Sequence, residues 1–189
     1  MWLFLFTKNL KDIKNTKGET EWKQYSKQLV FHSSVPNRNY LEHYYNNMNN
    51  PEINTFLQND QEGSTLEESI AWIDRHQEDY TFSMISNITG EFIGNCSIHD
   101  IENNSGEIGI FISPTFQNQG LGTEALAELI RIGFSELNLD EIRLIVFSHN
   151  QRAIHVYERL GFREYNRITA VTTRNNEPID DIYMVLRRN

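Results

Sequence analysis

The chain has 189 residues, 39% of them apolar and 12% aromatic, with a formal net charge of −9. That suffices for one domain whose core rests on large rings, and it argues against a nucleic-acid surface working by counterion release. The charge is uneven: all six lysines (Lys8, Lys11, Lys14, Lys17, Lys23, Lys27) precede residue 28, giving +3 to residues 1–27 and −12 to residues 28–189. Composition therefore predicts a lysine-rich N-terminal extension over 1–27 and one domain over 28–189.

Trp2–Phe6 is apolar but has no basic start. It is shorter than the roughly 7–15 apolar residues of a signal peptide or the roughly 20 of a membrane span. The single cysteine, Cys96, excludes an intramolecular disulfide. The chain is thus expected to be cytoplasmic, with no membrane partner. Cys96 lies between Ile93 and Ile98, where a buried small hydrophobe is expected rather than a reactive thiol. No cluster of His, Cys and acids has metal-ligand spacing, so no metal is expected.

In chain order, Gln28–Ser33 reads as a short strand, and Asn39–Met48 and Pro51–Leu57 as helical. Ser64-Thr65-Leu66-Glu67 has capping-box form with Ser64 as N-cap, and the helix behind it aligns Leu66, Ile70 and Ile73. Tyr80–Ser86 and Glu91–His99 are strands joined by a turn at Asn87-Ile88-Thr89-Gly90. Glu107–Ser113 is the third strand of that meander, stopped by Pro114. Gly120–Leu137 is a helix with Leu121, Ala125, Leu129 and Ile132 on one face. Glu141–Ser148 is continuously apolar, the pattern of a strand covered on both faces. Asn150–Leu160 is a short helix closed by Gly161. Phe162–Thr173 and Ile179–Arg187 form a closing hairpin across Asn175-Asn176-Glu177-Pro178. Together they predict an α+β domain, a mixed sheet with helices on its faces.

The chemistry concentrates at Glu107-Ile-Gly-Ile-Phe-Ile-Ser-Pro-Thr-Phe-Gln-Asn-Gln-Gly-Leu-Gly-Thr123, a strand, a polar loop, and glycines opening a helix. Without Cβ at Gly120 and Gly122 the backbone can approach a ligand, and free first-turn amides with the helix dipole suit a phosphate. An ordinary helix start is the plain alternative. Gly120-Leu121-Gly122-Thr123-Glu124-Ala125 also fits a relaxed dinucleotide fingerprint. However, Pro114–Gln119 separates strand from glycine, and Asp140 and Glu141 precede the next strand instead of ending it. A P-loop needs Gly-Lys-Ser/Thr, which is absent.

Gln117-x-x-Gly120-x-Gly122 is similar to the Q/R-x-x-G-x-G/A loop of the GCN5-related N-acetyltransferase (GNAT) superfamily. Asn150-Gln-Arg-Ala153-Ile-His-Val-Tyr157-Glu-Arg-Leu-Gly161-Phe162 resembles that superfamily's second motif, N-x-x-A-x-x-x-Y-E-x-x-G-F. The two occur in order on the expected frame, the resemblance spans roughly residues 28–189, and it leans towards the branch of spermidine and ribosomal-protein N-terminal acetyltransferases. It implies the GNAT fold, with a mostly antiparallel sheet and a splayed central strand pair. It further implies an acetyl-CoA-dependent N-acetyltransferase moving an acetyl group to a primary amine by direct transfer in a ternary complex.

By that resemblance Ile110, Phe111 and Ile112 would splay from Glu141–Ser148 and pair with the pantetheine arm, polarising the thioester carbonyl. Gln117, Asn118, Gln119, Gly120, Leu121, Gly122 and Thr123 would hold the pyrophosphate. Asn150 would bond the pantetheine amide, Ala153 would leave room for the arm, and Arg152 is a candidate for the 3′-phosphate, or else a solvated side chain. Tyr157 would be the general acid that protonates the departing thiolate; periodicity alone makes it a core aromatic on the stripe Ala153–Tyr157–Leu160. Glu107 is the first candidate for the general base, with His99 and Asp100 second, and His149 and His155 are given no role.

The charge of −12 favours a cationic acceptor, either a small amine or a peptide amino terminus. Residues 56–63 do not reproduce the acidic, aromatic run of polyamine enzymes, although Glu62, Glu67 and Glu68 are available to a cation. Nucleic acid is not an expected partner, and a homo-oligomer is left open. The alternative reading is a non-catalytic acyl-CoA-binding sensor or scaffold on the same fold.

Overall fold

Backbone pairing begins before the composition changes. In the computed structural model, which describes residues 22–24, 29–32, 38–56, 64–75, 80–174 and 177–188, β1 (Trp22–Gln24) and β2 (Leu29–His32) form an antiparallel hairpin. Trp22–Gln24 precede the compositional break, so the sheet includes a strand ahead of the expected domain boundary. Ladder hydrogen bonds use main-chain groups and are indifferent to side-chain charge. The run Trp2–Phe6, the stretch 57–63 with Glu62, and the turn residues Asn175-Asn176 lie outside the described residues.

A short 3₁₀ turn at Arg38–Tyr40 leads into α1 (Leu41–Met48). In α2 (Pro51–Asn54), Asn50 is the N-cap, its side chain accepting from the Glu52 N–H at 2.9 Å, with Pro51 at the first helical position. The capping box of α3 (Leu66–Arg75) stands one residue later than expected. Glu68 Oε2 accepts from the Thr65 N–H at 2.7 Å, and Thr65 Oγ1 accepts from the Glu68 N–H at 3.2 Å. Ser64 is already engaged, its N–H donating to Asn49 Oδ1 and its carbonyl accepting from Asn49 Nδ2. The Asn49 side chain claims the backbone that a Ser64 cap would have used.

The meander is β3 (Tyr80–Ser86), β4 (Phe92–Glu102) and β5 (Ser105–Ile112). Its second turn is tighter than expected: Asn103 and Asn104 both have positive φ, +49° and +59°, the geometry of a two-residue hairpin. α4 (Leu121–Arg131) continues into a wider π-helical turn over Ile132–Glu136, where one unbroken helix was expected. A Cβ at Gly133 would stand 2.7 Å from Ile142 Cδ1, so this glycine lets the helix end press on the next strand. The chain closes with β6 (Glu141–Phe147), α5 (Gln151–Arg159), β7 (Arg163–Arg174) and β8 (Glu177–Arg187), whose pairing starts at Arg174↔Glu177.

Among the described residues these strands make one eight-stranded sheet in the order β1-β2-β3-β4-β5-β6-β8-β7. Its parallel pair is β5–β6, and the other neighbours run antiparallel. Successive strand residues face opposite ways. On β4, Cys96 and Ile98 face the main core, which Ala125, Leu126 and Leu129 of α4 complete. Asn95, of opposite parity, donates to Tyr44 Oη of α1 at 2.8 Å, which places α1 on the other face. There Tyr44, Ile73, Ile85 and Phe92 form a smaller cluster. Cys96 is fully buried, as its apolar neighbours predict. No helix among the described residues is long and apolar enough to cross a membrane.

Candidate active site

The site arises where the parallel pair fails. β5 and β6 are in register at Ser105↔Glu141, Gly106↔Ile142 and Glu107↔Arg143, and then diverge. Beyond that point β5 still pairs outward with β4 and β6 with β8, so the two inner edges carry main-chain groups without a strand partner. A cavity of about 560 Å³ opens between them. Ile110, Phe111 and Ile112 line one wall, and Ile145 and Val146 the other.

At one end lies the turn from Pro114 to Thr123. Gly120 has φ +82°, and nothing lies within 4 Å of the Cβ it lacks. The first intrahelical bond of α4 runs from the Glu124 N–H to the Gly120 carbonyl. The amides of Leu121, Gly122 and Thr123 therefore precede the ladder and sit at the positive end of the helix dipole. Gln117, Asn118, Gly120, Gly122 and Thr123 line the cavity. Gln119 and Leu121 do not contribute side chains to the lining: the Gln119 amide donates to the Thr115 carbonyl at 2.9 Å, and Leu121 is buried in the core.

Two side chains stitch this loop to its surroundings. Gln117 Nε2 donates to the Ile112 carbonyl at 2.9 Å, holding the loop against the end of β5. Arg152 donates to Gln117 Oε1 at 2.8 Å and to Asn118 Oδ1 at 3.2 Å, fixing α5 to the loop. Asn150 is the N-cap of α5, its Oδ1 accepting from the Ala153 N–H at 3.2 Å. Ala153 and Tyr157, one helical turn apart, face the cavity together. Tyr157 meets Phe162 edge-on at 6.0 Å, and burial pushes its phenol up to about 12.

At the opposite end stand Glu107 and His99, directly opposed across β5 and β4 and so on one face. Glu107 is half-buried, and burial raises its carboxyl above the usual range; His99 lowers it, Asp100 raises it and Arg143 lowers it. His99 Nδ1 lies 3.0 Å from Asp100 Oδ2.

Sequence reasoning read Pro51–Leu57 as helical but named no site residue on α2, and it gave His149 no role. Glu52, Ile53 and Phe56 line the cavity. Phe56 stacks on His149 at 5.2 Å, and His149 Nε2 lies 3.0 Å from the Thr55 carbonyl. The spacing of Ile53 and Phe56 by three residues was the available signal for a helical apolar face. Nothing local announces His149, whose partner is 94 positions away. Among the described residues no group of His, Cys, Asp and Glu could hold a metal ion.

Residues 35–163 match the profile of the acetyltransferase (GNAT) domain. Spermidine N(1)-acetyltransferase of Escherichia coli K12 is 46% identical over 56 residues, 30% of each chain. A candidate ribosomal N-acetyltransferase of Bacillus subtilis, YdaF, is 34% identical over 77 residues, 40% of this chain and 42% of its own. The chain thus spans less than half the length of either curated relative. Among solved structures, spermidine N-acetyltransferase of Vibrio cholerae in complex with CoA and spermine superposes with a TM-score of 0.76 at 23% identity. That match covers 86% of this chain and 96% of the other. A GNAT-family acetyltransferase of Bacillus anthracis gives 0.75 at 19% identity, covering 88% and 98%.

Proposed function

The chain belongs to the GNAT acetyltransferase family, and on that premise we propose that it transfers an acetyl group from acetyl-CoA to a cationic primary amine, with both substrates bound together. The observation that carries this reading is the divergence of β5 from β6 after Glu107↔Arg143, with Tyr157 on one side of the gap and Glu107 and His99 at its end.

Acetyl-CoA supplies an acyl group activated as a thioester. The residues present fit it. Gly120 is open on its Cβ side, and the free amides of Leu121, Gly122 and Thr123 would hold the pyrophosphate, with no lysine in the loop. The inner edges of β5 and β6 offer N–H and C=O groups to the amides of the pantetheine arm. Asn150 keeps its Nδ2 for the same arm, and Ala153 keeps that wall low. Arg152, held by Gln117 and Asn118, orders the loop and adds positive charge beside it. The N–H groups of the freed β5 edge are fixed donors for negative charge that develops on a carbonyl oxygen.

With its phenol at about 12, Tyr157 keeps its proton at neutral pH and donates it from Oη to the leaving sulfur. The acceptor end carries Glu107 and His99, with Asp100 beside them, a setting for an ammonium group. Relatives are named for spermidine, and the acidic end of this cavity supports a small cationic amine here as well; a peptide amino terminus presents the same group.

Thiol release from acetyl-CoA measured across a panel of amines tests the reading. Turnover on at least one cationic amine is expected, and CoA binding without turnover on any amine overturns it in favour of a sensor. Tyr157→Phe is expected to lower kcat about a hundredfold, the scale of a lost general acid, while leaving CoA affinity nearly unchanged. An unchanged kcat removes Tyr157 as the acid.

A further inference from the structure

Two groups at the acceptor end could take the ammonium proton, and their surroundings differ. Glu107 receives no hydrogen bond from a described residue that would steady its charged form. His99 is held. Its Nδ1 faces Asp100 Oδ2 at 3.0 Å, so the carboxylate accepts the Nδ1 proton and Nε2 keeps its lone pair. Pairing of β4 with β5 shifts after His99, and Asp100 has φ +48°. Aspartate tolerates that left-handed backbone better than most residues, and it turns the carboxylate back onto the imidazole.

Nε2 is directed at the working edge. A Cβ at residue 109 would stand 3.5 Å from His99 Nε2 and 3.3 Å from Ser97 Oγ, so any branched or long side chain there would take up the space over the ring. Gly109 lies two residues past the last β5–β6 pair, on the freed part of β5, and both His99 and Gly109 line the cavity. The imidazole's acceptor nitrogen thus looks across a bare backbone onto the segment that holds the thioester under the function proposed above.

We propose that His99, positioned by Asp100, is the general base of this site, and that Glu107 is an electrostatic anchor for the incoming ammonium. This rests on the acetyl-transfer reading. Nε2 takes one proton from the ammonium, and the freed nitrogen lone pair forms the N–C bond. The C–S bond breaks with its electron pair on sulfur, Tyr157 Oη protonates that sulfur, and the second nitrogen proton restores the phenol. The imidazolium, balanced by Asp100, returns its proton to solvent, so one proton is released for each amide formed. The charged groups around His99 are Asp100 on its own strand, Glu107 opposite on β5 and Arg143 beyond it on β6; Glu52 of α2 lines the same cavity. The Arg143 guanidinium is directed away, with Nε on Ser105 Oγ at 2.7 Å and Glu141 Oε1 at 3.3 Å.

The test compares His99→Ala, Asp100→Asn and Glu107→Gln in the full chain, using the best amine from the panel. His99→Ala is expected to lower kcat at neutral pH about a hundredfold or more. Its deficit should shrink as pH rises and the amine arrives already deprotonated, and added imidazole should restore part of the rate. Asp100→Asn is expected to lower kcat and alter the acid limb of its pH profile while KM for acetyl-CoA stays unchanged. Glu107→Gln should act chiefly on KM for the amine. A CoA affinity and melting temperature within error of wild type show that each variant is folded. His99→Ala with wild-type kcat and pH profile overturns the proposal while leaving acetyl transfer intact; loss of proton-dependent turnover in Glu107→Gln alone also overturns it. A wild-type chain that binds CoA but turns over no amine of the panel overturns the wider reading instead.

Discussion

A phenol serves as an acid only while it holds its proton, and Tyr157 holds it because ionised oxygen on that wall has lost water and gained no partner charge: burial is the sole cause of its shift from 10.0 to about 12. The same shift bears on stability. Its folded value lies above the unfolded one, so the contribution is intact below pH 10 and is lost as pH rises towards 12, where the unfolded chain releases the proton first. Denaturant midpoints should therefore decline over that window, and less steeply in Tyr157→Phe. Tyr44, whose phenol burial raises further, leaves a residual decline in the variant. Equal slopes for the two chains would show that the Tyr157 phenol is solvated. The place of Tyr157, Asn150 and Gln117 at the cavity was legible in the sequence because each belongs to a local motif with fixed spacing. The Arg152–Gln117 contact, 35 residues apart, and the stacking of Phe56 on His149 were not, because tertiary folding alone brings those pairs together.

Among the elements, the turn into α4 carries the most constraint in the fewest residues. Gly120 is left-handed in an open space, so Gly120→Ala meets no clash, only the backbone cost of about 1–2 kcal/mol that an L side chain incurs there. The loop is expected to relieve that strain by turning the amides of Leu121, Gly122 and Thr123 off axis. KM for acetyl-CoA should then rise several-fold while the melting temperature falls by a few degrees. An unchanged KM would mean that those amides do not hold the pyrophosphate. Most strands and helices were legible from period alone, and the ends were less so. β4 and β5 run on to a tight Asn103-Asn104 turn because asparagine accepts positive φ, which hydrophobic alternation does not report. The α3 cap moved to Thr65 because Asn49, 15 residues upstream, binds the Ser64 backbone. The divergence of β5 from β6 has no signature in either strand and was expected only through the resemblance.

At the scale of the whole molecule, a net charge of −9 would act on the two substrates of the proposed reaction, which are of opposite sign. The acidic groups at the acceptor end of the cavity add to the overall field there, whereas the loop end offers helix dipole and Arg152 against it. A cationic amine is thus drawn in by both the distant and the local field, while an anionic co-substrate approaches against the first and is captured by the second. Screening separates these contributions, since distant charges fade beyond a Debye length of about 8 Å at 0.15 M salt and contacts inside the cavity persist. Raising ionic strength should therefore lower kcat/KM for the cationic amine, the usual behaviour of steered association. For acetyl-CoA the same change should leave KM unchanged or lower it, because the field being screened is a repulsive one. Initial rates with each substrate varied in turn across a salt series would read both slopes. If both substrates weakened equally with salt, the loop would be holding its anion by long-range charge, and the free amides of α4 would lose the role given to them here.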